Sequence, residues 1–170
     1  MKNRNYLNDY KMTASGEYIY TGKRYVPTVD GYNRKVRILL LLSLLIASLV
    51  IGSGYIDGAG MINSFYVILP FIAEVGCVFF LLWNTIRLVT AKSEIKEYVY
   101  TSVMKKIPDA SKALMFFSAF SAAASVVFFI LNRRTISFDY TVLYPVIKLV
   151  VIAVDYFFIR QFGKLSFTEK

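Results

Sequence analysis

The sequence contains no histidine and only one cysteine, Cys77. These scarcities exclude a disulfide framework, a Cys/His metal site and a dithiol redox pair within one chain. The sequence also has no nucleophile elbow, no phosphate-binding glycine loop and no zinc-protease motif. We therefore predict a protein that is not an enzyme and that has no metal and no cofactor.

Charged residues are also few, and one sign dominates: 18% of the 170 residues are charged, with 20 Lys and Arg against 11 Asp and Glu. The basic residues lie between long apolar runs rather than along one face of a soluble domain, which argues against nucleic-acid binding. Hydrophobic residues make up 56% of the chain, a proportion typical of a membrane protein.

Four apolar segments reach the length of about 20 residues that crosses a bilayer core. They are residues 36–56, 64–88, 113–131 and 141–162. Because these segments are apolar nearly all round, buried helices of a soluble protein are a poor alternative. We predict an all-α integral membrane protein with one four-helix transmembrane domain at 36–163. Outside the spans lie a basic, Tyr-rich N-terminal segment (1–35), a connection (89–112) and a tail (164–170).

The distribution of Lys and Arg predicts the orientation of the spans. The N-terminal segment through Arg37 has eight, the stretch from Arg87 to Lys112 has six, and the C-terminal end has three. The two other loops together have only Arg133 and Arg134. Since short basic loops stay on the cytoplasmic side, we expect a multi-pass protein of the cytoplasmic membrane with both termini inside.

Three charged residues fall within the predicted spans: Glu74, Lys148 and Asp155. In the fourth span, thirteen Val, Leu, Ile and Phe favour insertion by roughly 4 to 8 kcal/mol, against a penalty of about 5 to 7 for the two charges. This span is therefore close to balance alone, and we expect its charges to have partners.

Counting residues along the spans suggests a partner for Lys148. Glu74 lies about 15 Å below the start of the second span and Lys148 about 11 Å below the start of the fourth, so an ion pair between them is possible. Asp155 shares the face of Lys148, and Arg37 and Arg87 are its expected partners. The three charges either fix the register of the helices or line a path for protons or a charged solute.

Small residues of the third span form two pairs at a spacing of four, Ser118/Ala122 and Ser121/Ser125. Such pairs let helices approach closely in lipid. We predict a packing surface here, either within the chain or between two copies. If the surface lies between copies, a homo-oligomer or a larger membrane complex is expected.

The N-terminal segment carries Tyr18, Tyr20, Lys23, Arg24 and Tyr25 around a Thr-Gly-Lys turn. The alternation permits a small hairpin there. These residues suit contact with anionic lipid headgroups or with a partner protein. In the connection, we expect Ser93 to cap a helix that ends at Pro108 and Asp109.

Two functions agree with these features. We favour a non-enzymatic accessory or structural membrane protein that acts through helix packing and cytoplasmic partner contacts. The alternative is a small oligomeric transporter, coupled to ions or protons, that uses Glu74, Lys148 and Asp155.

Overall fold

The computed structural model describes residues 10–12, 16–56, 60–91, 94–132 and 138–170, without the side chains of 138–141. Four long helices dominate it: α1 (Tyr32–Ser53), α2 (Phe65–Thr90), α3 (Glu97–Asn132) and α4 (Phe138–Phe162). All four are long and apolar enough to cross a membrane, which confirms the helical part of the prediction. A 3₁₀ turn, Met61–Asn63, precedes α2.

The helices form a closed four-helix ring. Each helix packs against the next along the chain, and α1 also packs against α4. As a result α2 and α4 face each other diagonally across the bundle axis. A continuous buried core includes Leu39 and Ile46 of α1, Leu81 of α2, Leu114 of α3 and Val151 of α4.

The third helix is longer than predicted. We expected a break at Pro108 and a span over 113–131. Instead α3 is one helix of 36 residues with Pro108 in its interior. A helix interior accepts a proline when neighbouring helices compensate for the lost hydrogen bond, and α2 and α4 both pack against α3. The expected cap, Ser93, lies outside the described residues.

Five short strands among the described residues make the fold less purely helical than predicted. Strands β1 (Tyr10–Met12) and β2 (Tyr18–Tyr20) form an antiparallel hairpin. Strand β3 (Arg24–Pro27) lies between β4 (Ile95–Lys96) and β5 (Phe167–Glu169), antiparallel to both. We call the end of the bundle that carries this three-stranded sheet the sheet end.

The prediction of a hairpin around the Thr-Gly-Lys turn is therefore wrong, because β2 and β3 pair with other strands and not with each other. Tyr20 of β2 pairs with Tyr10, whereas Tyr25 of β3 pairs with Ile95 and Glu169. Two-stranded pairs are marginal in water, so β3 gains more by pairing on both edges with segments that α2, α3 and α4 already hold nearby. The sheet thereby ties the N-terminal segment to the connection and to the tail.

The distribution of polarity is the reverse of that in a soluble bundle. Among the described residues, eleven polar or charged side chains are buried, while large apolar side chains such as Leu41, Phe79, Phe116 and Leu149 are exposed. Several buried polar groups bond within their own helix, as Thr85 Oγ1 does by donating to the carbonyl of Leu81.

Candidate functional site

All four helices contribute polar side chains to one buried cluster, which we call the polar centre. Its members are Ser53 of α1, Glu74 of α2, Ser118 and Ser121 of α3, and Tyr144 and Lys148 of α4. Every one of these side chains is fully buried.

Lys148 lies in the middle of the polar centre. Its Nζ donates to Oε2 of Glu74 at 2.5 Å and to the hydroxyl of Ser53 at 2.9 Å. The rings of Tyr144 and Phe71 lie 4.7 and 5.0 Å from the same ammonium, measured to their centroids. The contact predicted between Glu74 and Lys148 is therefore present, and it crosses the bundle diagonally.

Part of the polar centre has unused hydrogen-bonding capacity. The hydroxyls of Ser118 and Ser121 lie beside the Glu74 carboxylate, and Ser121 also lies beside Tyr144. In the described part of the chain, however, Oε1 of Glu74 and these three hydroxyls lack a partner with hydrogen-bond geometry. The carboxylate is thus surrounded by hydroxyl groups that can reorient towards it.

Asp155 has a different environment from the one predicted. The hydroxyl of Ser111 donates to its Oδ2 at 2.9 Å, and Oδ1 has no hydrogen-bond partner among the described residues. No ion pair joins it to Arg37 or Arg87, as far as the described chain extends. Glu74 and Lys148 lie at the same depth, and seven residues further along their helices Leu81 and Asp155 do so as well. Arg87 is six residues beyond Leu81 and therefore lies about 9 Å nearer the sheet end than Asp155.

An apolar layer separates Asp155 from the polar centre. Lys148 and Asp155 are seven residues apart on α4, as Ser111 and Ser118 are on α3. Between these levels lie Val78, Leu114 and Val151, all buried in the same core cluster. Two polar levels about 10 Å apart are therefore divided by apolar side chains from three helices.

The small residues of α3 pack within the chain. Ser118, Ser121 and Ser125 are buried and Ala122 is partly buried, and α3 contacts both α2 and α4. Of the two alternatives for this surface, the structure shows the one within a single chain. Ser125 donates to the carbonyl of Ala122 at 2.7 Å.

The basic N-terminal residues take part in the sheet end. Lys23 forms an ion pair with Glu169 at 2.7 Å, and Arg24 with Glu94 at 2.6 Å. Tyr25 stacks on Tyr100, with the ring centroids 3.9 Å apart. The headgroup contacts predicted for Lys23, Arg24 and Tyr25 therefore compete with contacts inside the protein.

The two tyrosines of β2 differ. Tyr20 is buried, whereas 70% of the Tyr18 side chain is exposed. Met12, which pairs with Tyr18, and the adjacent Ile19 are also exposed. Of the two tyrosines, Tyr18 alone is open to an outside partner.

Hydrogen bonds shift the pKa values of three groups at the sheet end. Hydrogen bonds from Lys170, which has the larger effect, and from Arg24 lower the pKa of Glu94. A bond to Glu169 raises the pKa of Lys23, and a bond to the hydroxyl of Tyr10 raises that of Lys96. All three groups are therefore charged near neutral pH.

From the sequence we did not predict three of the partners: Ser53 for Lys148, Ser111 for Asp155, and the C-terminal strand for β3. The spacing in the sequence could have indicated Ser111. Ser111 and Ser118 on α3 are seven residues apart, as Lys148 and Asp155 are on the neighbouring α4. Ser53 lies beside Gly54 in what reads as an exit turn, and nothing in its sequence context marks it.

No protein-family model, curated protein or solved structure matches this chain. Among the described residues, no group of three or more His, Cys, Asp or Glu is placed to hold a metal ion.

Proposed function

We propose that this chain is a multi-pass protein of the cytoplasmic membrane, with the sheet end and both termini in the cytoplasm. The large apolar side chains on the outside of the helices, such as Phe79 and Phe116, support a lipid environment. Seventeen basic residues in the segments of the sheet end, against two in the loops of the opposite end, support the orientation.

Labelling of introduced cysteines tests this topology. Tyr55 lies at the opposite end, with 87% of its side chain exposed, and Lys11 is exposed in β1. In a Cys77→Ser background, a membrane-impermeant maleimide should label Tyr55→Cys in intact cells, and Lys11→Cys only after lysis. The reverse pattern would refute the orientation, and labelling of both in intact cells would refute the membrane location.

Within the membrane, we infer a non-enzymatic accessory or structural role. The observation that carries this inference is the enclosed arrangement of the charges. Lys148 and Glu74 neutralise each other inside the bundle, and the layer of Val78, Leu114 and Val151 interrupts the polar groups below them. A buried pair of this kind specifies how helices align rather than providing a continuous polar path.

The accessory role requires a partner, and the exposed side chains Met12, Tyr18 and Ile19 of the β1–β2 hairpin offer a contact surface. Purification from native membranes in mild detergent should retain one partner at fixed stoichiometry. The double substitution Tyr18→Ser and Ile19→Ser should release that partner without changing the yield of folded chain. A chain that purifies only as itself would contradict the accessory role.

A transporter remains the second candidate because of Asp155, a buried carboxylate whose only hydrogen-bond partner in the described chain is Ser111. Such a group within a membrane span is able to exchange protons. Protein reconstituted into liposomes with a pH-sensitive dye inside should then move protons, and Asp155→Asn should abolish the movement. Equal dye signals from liposomes with and without protein would exclude this candidate.

A further inference from the structure

An open pocket of about 360 Å³ lies at the sheet end, where α2 stops and α3 begins. Arg87 and Thr90 of α2 line one side of it. Glu94, Lys96 and Tyr98 line the other. Neither candidate function uses this pocket.

Positive charge dominates the pocket. Arg87 forms no ion pair with any described residue, and Lys96 adds a second cation. The carboxylate of Glu94 is already bound by Arg24 at 2.6 Å and by Lys170 at 2.8 Å. Four positive charges therefore surround one negative charge, so the pocket favours an anion.

The cation of Lys96 is held in position. Its ammonium donates to the hydroxyl of Tyr10 at 3.1 Å and lies 5.2 and 5.3 Å from the ring centroids of Tyr10 and Tyr20. Because these contacts order the side chain before any ligand arrives, binding an anion costs less conformational entropy.

The depth of the pocket corresponds to the headgroup layer of a bilayer. Trp83, Arg87 and Thr90 follow one another on a single face of α2, at intervals of four and three residues, and Ala91 comes directly after Thr90. Trp83 is 63% exposed, so this face points away from the bundle. Tryptophan favours the boundary between hydrocarbon and headgroups, and Arg87, one turn further, then lies at the level of the lipid phosphates.

We propose that this pocket binds the phosphate of an anionic lipid headgroup, with Arg87 as the principal contact and Lys96 as the second. The inference rests on the membrane location proposed above. A zwitterionic headgroup is a poorer ligand, because its own cation would be repelled by the excess of positive charge around the pocket.

Trp83 provides the test, because it is the only tryptophan in the chain and lies one turn from Arg87. The full-length protein is reconstituted into vesicles that contain phosphatidylcholine or phosphatidylglycerol with brominated acyl chains, which quench nearby tryptophan. We expect phosphatidylglycerol to be preferred beside Trp83 by about fivefold. Arg87→Gln should bring the preference close to one.

Arg160→Gln is the matched control. Arg160 is exposed in the last turn of α4, at the same depth as Arg87, and does not line the pocket. This variant should keep the preference for phosphatidylglycerol. An equal loss in both variants would overturn the proposal in favour of general surface charge.

Three further outcomes are distinguishable. Strong quenching by both lipids without a preference overturns the pocket proposal while supporting the membrane location. No quenching by either lipid overturns the membrane location itself. Binding of inorganic phosphate that Arg87→Gln removes, in vesicles that show no lipid preference, assigns the pocket to a free phosphate and overturns the lipid assignment.

Discussion

The substitution Lys148→Met tests the polar centre most directly. It removes an ammonium that is fully buried and that donates to both Glu74 and Ser53. Glu74 is left as a buried carboxylate without a cation, which costs about 3 to 5 kcal/mol in comparable buried pairs. Glu74→Gln leaves the ammonium unpaired instead, and we expect a loss of stability of similar size.

The double variant Glu74→Gln, Lys148→Met provides the quantitative test. Because it removes both charges together, its stability should lie within about 2 kcal/mol of the wild type. Losses of 3 to 5 kcal/mol in each single variant then imply a coupling energy of about 4 kcal/mol or more, well above the scatter of about 0.5 for independent sites.

Unfolding of the purified protein in a mild detergent with increasing dodecyl sulfate, followed by the fluorescence of Trp83, measures these stabilities. Lys105→Met is the matched control, since Lys105 is exposed on α3, and it should change stability by less than about 0.5 kcal/mol. If the losses of the two single variants simply add in the double variant, Glu74 and Lys148 are not coupled and the reasoning fails.

Three other predictions concern packing and the sheet end. Ser118→Leu places a large side chain into the buried face of α3, and in the same unfolding assay it should lower the stability by about 1 to 3 kcal/mol. The control Ala119→Leu lies on the exposed face of α3 and should be nearly neutral. Equal effects of the two substitutions would show that the Ser118 face is not packed. Gly52→Ala should stabilise α1 by up to about 1 kcal/mol, because its new Cβ meets nothing within 4 Å. Gly54→Ala should lose that gain, since its Cβ would lie 2.7 Å from the Phe71 ring; a gain in both variants would contradict the close approach of α1 and α2. Hydrogen bonds from Lys170 and Arg24 lower the pKa of Glu94 below its ordinary value of 4.5. The stability that these bonds give to the three-stranded sheet is therefore present above pH 4.5 and is lost as the pH falls through the lowered pKa. Hydrogen exchange of 167–170 should therefore accelerate, after correction for the intrinsic rate, below about pH 4.5. Glu94→Gln should remove that pH dependence, and its persistence would assign the effect to another group.

Much of the fold follows from local properties of the sequence. Uninterrupted apolar runs predict the helices, since a chain in lipid must satisfy its backbone hydrogen bonds within each segment. The facing of Glu74 and Lys148 was predictable as well, because equal depth on parallel helices follows from counting residues. The break at Pro108 was not predicted correctly, because tolerance of a proline depends on the neighbouring helices rather than on the sequence around it.

The sheet end shows where local reasoning stops. The alternation of residues 18–25 favours a hairpin between neighbouring segments, but β3 pairs with strands about 70 and 140 residues further along the chain. The strands of two and three residues carry almost no signal of their own, and they exist because the helices bring their ends together.

The sequence by itself therefore determined the number of helices, their apolar character and the presence of charges that require partners, because each depends on composition and spacing along one segment. The depth of Glu74 also indicated it as the partner of Lys148. Only the tertiary structure added Ser53 to that pair and assigned Ser111 to Asp155 and the C-terminal strand to β3. Those assignments depend on which helix faces meet in the bundle, and that is a property of the packed chain as a whole.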